Sequence, residues 1–317
     1  MPSFTSIFKV ALGFMAGLLC IELALQFTPT ATGFQRSSEP FPIRHWKPNT
    51  TYQYSNGWNF RNPQSGQINN YGFVNVKDYD SPKADVLVIG DSYIEAQQVT
   101  QDMTLHAVIE QQTGLNTYSI GTNDSQFADY IHYMRYGIKT FTPDWLVIKL
   151  FASDLQYSFK SAMPQGAYFE TSENGLNIKV NPPRANSALR NQIKKSALLR
   201  YVFLNLRLPA QIKRLLSKPT TPPAFNAAQY QPLITFFNGE LRQHNLDKSR
   251  VIFITDSDQV SALLDQNQFK HVHSERILTQ MFATTGFRGN DEPYDGHWNF
   301  RGHYQVGQAV STLLIAD

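Results

Sequence analysis

A serine hydroxyl is a weak nucleophile near neutral pH and needs a base close by to take its proton. This chain places Ser92 in Ile89-Gly90-Asp91-Ser92-Tyr93, directly after the aliphatic run Ala84-Asp85-Val86-Leu87-Val88-Ile89. Near the other end, Tyr294-Asp295-Gly296-His297-Trp298-Asn299-Phe300-Arg301-Gly302-His303 sets a histidine just after an aspartate and just before a last helical pattern. His297 can accept the Ser92 proton if its other ring nitrogen donates to a fixed acceptor, and Asp295 is the natural one. Each motif has an ordinary alternative. Gly-Asp-Ser often forms plain turns, Asp295 could cap a turn, and His297 could be an interfacial histidine. The two motifs at opposite ends of one α/β pattern favour nucleophile, base and orienter. The chemistry is then acyl transfer: Ser92 attacks an ester carbonyl, and the acyl-serine passes its group to water or to a hydroxyl.

Such residues need rigid elements to hold them. Residues 84–89 have the composition of a strand buried on both faces. Residues 102–112 follow with helical spacing of Met103, Leu105, Val108 and Ile109, then a strand over 116–120 and a helix over 127–138. Trp145–Phe151 and Val251–Thr255 are further buried strands. Strands alternating with helices predict a three-layer α/β fold with a parallel sheet of about five strands. Serine at the carboxyl end of the first strand lies where such sheets put their sites. Gly90 permits a sharp exit from that strand.

Residues 31–80, rich in Pro, Asn, Ser, Thr and Tyr, form a linker and an irregular or short-stranded lead-in, with Asn69-Asn70-Tyr71-Gly72 as a turn. The domain proper spans 81–317, with an insertion at about 157–225. Within the insertion, Ala167–Thr171 and Leu176–Val180 flank Glu173-Asn174-Gly175, a strong hairpin signal. Asn186 to Lys218 follows as a basic amphipathic helical stretch carrying Arg190, Lys194, Lys195, Arg200, Arg207, Lys213 and Arg214, and Pro219 to Pro223 ends it. That stretch is ordinarily a solvated face over a packed one. Its functional alternatives are a lid or a surface against anionic lipid.

Residues 1–30 are an N-terminal membrane anchor or signal. Ile7 to Phe27 is about one bilayer span long, with Lys9 near its start, Glu22 near its end and no charge from Val10 to Ile21. Thr30-Ala31-Thr32 is a weak cleavage site and Gly17-Leu18-Leu19-Cys20 a poor lipoprotein signal. An uncleaved single-pass anchor is the preferred reading over an amphipathic helix packed on the domain.

Bulk composition narrows the classes further. Of 317 residues 28 are basic and 25 acidic, a net charge of +3 that does not suggest a nucleic-acid binder. The single cysteine, Cys20, forms no intramolecular disulfide and no thiolate metal cluster. His271 and His273 alternate but lack a third ligand, and Gly90-Asp91-Ser92 lacks the Lys-Ser/Thr ending of a phosphate loop. Asp256 and Asp258 follow a strand and are read as helix caps. No cofactor and no metal are expected.

Ile-Gly-Asp-Ser after the first strand and Asp-Gly-His-Trp-Asn-x-x-Gly-His near the carboxyl terminus resemble the first and last blocks of the SGNH (GDSL) hydrolase superfamily. They are most similar to its membrane-associated bacterial branch, whose members resemble alginate O-acetyltransferases and use Asp-x-His. The similarity runs over residues 68–317, including Ile68-Asn69-Asn70-Tyr71-Gly72-Phe73. It implies a flavodoxin-like SGNH fold, His297 as catalytic histidine, and His303 as structural. It also implies an oxyanion hole from the N–H of Ser92, a glycine after the second strand and an asparagine after the third. Here the glycine position falls on or near Asp124 in Ser119-Ile120-Gly121-Thr122-Asn123-Asp124, and Ser153 in Phe151-Ala152-Ser153-Asp154 stands for the asparagine. The expected hole is Ser92, Asn123, Asp124 and Ser153. Losing one such donor costs about 100- to 1000-fold in turnover. The resemblance implies an ester-bearing substrate, O-acetyl groups of a cell-surface or exported polysaccharide, with the domain on the periplasmic or outer side of a bacterial inner membrane. Alternatives are a lipid esterase, or a non-catalytic domain that binds glycan or a partner in an assembly complex.

Overall fold

The computed structural model describes residues 3–37, 40–159, 166–173, 175–181, 188–217 and 225–316. The chain begins with helix α1 (Phe4–Gln26), then strands β1 (Thr50–Asn56) and β2 (Arg61–Ile68). The sheet starts with β3 (Val86–Gly90), followed by the single turn α2 (Ser92–Glu95), α3 (Leu105–Thr113), β4 (Thr117–Gly121), α4 (Phe127–Phe141), β5 (Trp145–Lys149) and α5 (Ala152–Tyr157). The insertion supplies hairpin β6 (Gly166–Ser172) and β7 (Gly175–Asn181), then α6 (Ala188–Lys195), α7 (Ala197–Arg200), a π turn (Tyr201–Asn205) and α8 (Leu208–Leu216). The chain closes with α9 (Gln231–Gln243), β8 (Val251–Thr255), α10 (Asp258–Gln266), β9 (Lys270–His273), α11 (Ser274–Thr285), β10 (Asn290–Asp291), β11 (Asp295–Trp298) and α12 (Phe300–Ile315).

Five parallel strands form the central sheet in the order β4-β3-β5-β8-β9. The expected α/β class and strand number hold. β9 is the edge strand that alternating His271 and His273 concealed, because only Val272 of its four residues is buried. Every residue of β3, β4, β5 and β8 is buried, as parallel strands with helices on both faces require. Alternation along the strands feeds two cores. Leu87, Ile89, Ile120, Ile148 and Phe253 pack with Phe127 and Ile131 of α4 and Phe237 of α9. Val86, Val88, Val147 and Ile254 face the other way, against Leu105 and Ile109 of α3 and Val306 and Val310 of α12. In register Gly90 pairs with Gly121 and Ile89 with Ile148, so the turns that leave β3, β4 and β5 emerge side by side at one edge.

Two compact units make up the chain. One comprises Met1–Phe34, Tyr52–Ser65 and Ala185–Thr221; the other comprises Gln35–Thr51, Gly66–Arg184 and Pro222–Asp317 and holds the sheet. The lead-in at 31–80 is therefore shared between the units. The insertion is divided as well: β6 and β7 go with the sheet, and α6 to α8 go with α1.

In the first unit, α1 has a mean hydropathy of 2.0 over a membrane-length window and nothing buried in that window, so it is long and apolar enough to cross a bilayer. Glu22 accepts hydrogen bonds from Ser196 Oγ and the Ala197 and Leu198 N–H groups, each at 2.8 Å. In the sheet unit, the Asn69–Gly72 turn closes by a bond from Gly72 N–H to Asn69 O at 3.0 Å, with Gly72 at φ +83°. β6 and β7 pair antiparallel from Gly166↔Asn181 to Ser172↔Gly175. Asn174, Asn186, Lys218 and Pro219 to Pro223, and the side chain of Arg190, lie outside the described residues.

Candidate active site

Asp91 follows the buried strand β3 and caps the turn that carries Ser92. Its carboxylate accepts from Tyr93 N–H at 3.0 Å, and its carbonyl accepts from the Ile94 and Glu95 N–H groups at 3.0 and 2.9 Å. The N–H groups at a helix start have no acceptor within the helix. Asp91 takes all of these except that of Ser92, which has no acceptor among the described residues. The chain can double back this tightly because Ile94 packs onto Gly121, where an added Cβ would lie 2.9 Å from Ile94 Cβ and 3.1 Å from Asp91 O.

His297 reaches Ser92 from the hairpin of β10 and β11. Ser92 Oγ lies 2.8 Å from His297 Nε2. On the other side of the ring, His297 Nδ1 lies 2.6 Å from Asp295 Oδ1, and the same oxygen accepts the His297 backbone N–H at 3.0 Å. A carboxylate facing Nδ1 requires the proton there, which leaves Nε2 free to accept from Ser92. Tyr93 fixes the far side. Its ring is 4.8 Å from that of His297, and its hydroxyl donates to Gly296 O at 3.2 Å. Asn299 caps α12 through the Arg301 and Gly302 N–H groups and donates to Asp291 Oδ1 at 3.1 Å. The dyad faces solvent: the His297 side chain is 35% exposed and that of Asp295 17%.

Beneath Ser92 is a buried ion cluster that the sequence reading missed. Lys149, at the end of β5 and 1% exposed, donates to Asp91 at 2.9 Å and to both oxygens of Asp154 at 3.0 and 3.2 Å. Burial works against its charge, but Asp154 and Asp91 outweigh it and hold the ammonium above the ordinary lysine value. Asp154 also accepts the Phe151 N–H at 2.7 Å. One lysine thereby ties the turn after β3 to the turn after β5. The available signal was a lone charge at the end of an otherwise apolar strand run, since lysine is almost never fully buried unless paired.

The oxyanion expectations fare unevenly. Asn123 cannot contribute its backbone N–H, because that group donates to Glu95 Oε2 at 2.9 Å. Asp124 sits in a left-handed turn at φ +60° with its side chain exposed. Arg44 holds both carbonyls of this turn, Asn123 O at 2.9 Å and Asp124 O at 2.7 Å. In a trans peptide the N–H points opposite the carbonyl, so the Asp124 N–H is turned away from Arg44 and makes no hydrogen bond to the described residues. Ser153 begins α5 half-buried, and its hydroxyl likewise makes none. Ser92, His297 and Asp295 are brought into contact; Asp124 and Ser153 occupy the neighbouring turns without bonding to them.

Glu95 is the second missed residue. It is 2% exposed, accepts Trp46 Nε1–H at 2.9 Å through the oxygen that holds Asn123, and its Oε1 takes no hydrogen bond from the described residues. Burial pushes its carboxyl up to about 8, against the lowering effect of the Asn123 and Trp46 donors.

The remaining candidates separate cleanly. His303 is fully buried, accepts Leu105 N–H on Nδ1 at 3.1 Å, and is held down at about 3 by burial. A ring locked in that way cannot exchange roles with His297. Asp256 accepts the Ala152 N–H at 3.0 Å, capping α5 from the next strand. Asp258 starts α10 behind the cap residue Ser257 and pairs with Arg276 at 2.7 Å. His271 and His273 lie 3.7 and 2.9 Å from Asp265 and Asp258. Among the described residues no group of three or more His, Cys, Asp or Glu side chains gathers as for a metal.

Several solved structures align with this chain. A G-D-S-L family lipolytic protein from Desulfitobacterium hafniense aligns over 72% of this chain and 98% of its own, at 10% identity and a TM-score of 0.41. An acetylxylan esterase from Geobacillus stearothermophilus aligns over 74% of this chain and 95% of its own, at 10% identity and a TM-score of 0.40. A carbohydrate esterase family 2 enzyme from Myceliophthora fergusii aligns over 80% of this chain and 72% of its own, at 12% identity and a TM-score of 0.40. No protein-family model and no curated protein matches the chain. What the site can do therefore follows from its own geometry rather than from these likenesses.

Proposed function

We propose that this protein is a serine-dependent esterase or O-acyltransferase of the SGNH type. One observation carries the reading: Ser92 Oγ, His297 and Asp295 form a continuous relay with links of 2.8 and 2.6 Å. His297 Nε2 takes the hydroxyl proton as Ser92 Oγ attacks an ester carbonyl. Asp295 holds the ring in the correct tautomer and stabilises the imidazolium. The tetrahedral oxyanion is received by the Ser92 N–H, with the Asp124 N–H and Ser153 hydroxyl as further donors from the adjoining turns. Collapse expels the alcohol, protonated by His297. The acyl-serine then passes its acyl group to water or to an acceptor hydroxyl, with the same histidine as base.

The open, solvent-facing dyad suits a substrate presented from a large molecule, and we take O-acetyl groups of a cell-surface or exported polysaccharide as the substrate. Helix α1 serves as a single-pass anchor in the bacterial inner membrane, with the catalytic unit on the outer side. The intact Ser92–His297 bond weighs against a non-catalytic binding domain. Covalent labelling by a fluorophosphonate probe tests the mechanism. Labelling of the wild type that vanishes in Ser92→Ala and in His297→Ala supports it, and a well-folded wild type that takes no label overturns it.

A further inference from the structure

Helix α8 has no buried residue. At 100° per residue its apolar side chains Leu208, Ile212, Leu215 and Leu216 fall within an arc of about 100°, with Lys213 and Arg214 outside it. They are 38, 54, 82 and 83% exposed. The segment from Asn186 to Lys218 carries many bases and not one Asp or Glu. An apolar stripe flanked by cations, with no acid nearby, fits an anionic lipid surface.

The same unit fixes where that stripe lies along the anchor. Glu22 is four residues from the end of α1, about 6 Å along a helix axis. With α1 spanning the bilayer, Glu22 stands at the headgroup boundary. Its carboxylate takes the Ser196 hydroxyl and the first two N–H groups of α7, so the start of α7, within the basic helical segment, is held at that depth. From α7 the chain runs through the π turn, where Tyr201 hydroxyl donates to Trp58 O at 2.8 Å. Trp58 itself is 71% exposed, and tryptophan concentrates at membrane interfaces.

We propose that α8 lies in the membrane interface beside the anchor, with Leu208, Ile212, Leu215 and Leu216 among the lipids, its cations on anionic headgroups, and Trp58 as a second contact. The inference rests on α1 being retained as an anchor and is independent of the esterase chemistry. It gives this unit a second membrane contact beside the α1 span.

The test uses the full chain reconstituted in vesicles of phosphatidylcholine with phosphatidylglycerol, and in phosphatidylcholine alone. A fluorophore is placed at position 212 by Ile212→Cys in a Cys20→Ser background, and separately on native Cys20, which is exposed on α1. The expected result is loss of iodide quenching at position 212 in the anionic vesicles, together with quenching by lipids brominated near the headgroup. Adding Lys213→Glu with Arg214→Glu restores iodide access. A label at 212 open to iodide in both vesicle types, while the Cys20 label stays shielded, overturns the interfacial helix and leaves the anchor standing. A Cys20 label open to iodide overturns the anchor and the proposal together.

Discussion

Asp295 is bound twice by His297, once through the ring and once through the backbone N–H. That double hold sets ring orientation and tautomer at the same time. Asp295→Asn preserves the shape but offers the ring a wrong hydrogen-bond pattern, and a fall of up to about 10⁴-fold in kcat is expected, as for this change in other Ser-His-Asp sites. Turnover of p-nitrophenyl acetate measures it, and a variant within threefold of wild type would remove Asp295 from the mechanism. Glu95 makes a different kind of prediction. Its carboxyl is raised from 4.5 to about 8 by burial. As pH climbs through that window, the unfolded chain has released a proton that the folded chain still holds, so the Glu95 contribution to stability falls and levels off above pH 8. Glu95→Gln removes the titration, and its melting temperature should gain on wild type between pH 5 and 8. Parallel curves for the two proteins would refute the assignment.

The turns at the ends of strands are the working elements. Three of them, after β3, β4 and β5, emerge side by side because the sheet register places Gly90 beside Gly121 and Ile89 beside Ile148. Lys149 welds two of these turns from below through Asp91 and Asp154. Removing one partner of a buried ion cluster leaves the others uncompensated, at a cost of about 3–5 kcal/mol. Lys149→Met should lower unfolding stability by that amount in urea titration, with wild-type m-value. A loss under 1 kcal/mol would mean that the two carboxylates relax to solvent or to protons without strain. The turn after β4 is held by Arg44 and Glu95 instead, through the two carbonyls of the turn and the Asn123 N–H.

At the scale of the whole molecule, one unit carries the sheet and the Ser-His-Asp relay, and the other gathers α1 with the basic helices of the insertion. A hydropathy of 2.0 across a membrane-length window with nothing buried in it predicts that the full chain stays with the membrane fraction through alkaline carbonate and leaves it only with detergent. Release by carbonate would make α1 a cleaved signal or a peripheral helix.

The sequence by itself determined the central strands β3, β5 and β8, because runs such as Val86–Ile89 and Val251–Thr255 are apolar enough to be buried on both faces wherever they fall. It also singled out Ser92 and His297 as candidate nucleophile and base, since few residue types can do that chemistry and two short motifs held them. Periodicity gave α3 and α4 nearly to their ends, and the Asn-Gly signal gave the β6–β7 hairpin. Tertiary structure alone decided which polar groups meet. Ser92 and His297 are 205 positions apart, and no local pattern states that Asn123 N–H turns to Glu95, that Lys149 sits between two aspartates, or that Glu22 in an apolar helix caps α7. Local periodicity reports burial, which each residue largely carries in its own side chain. Hydrogen bonding and ion pairing are properties of pairs, and in this protein the sheet register and chain crossings choose the pairs.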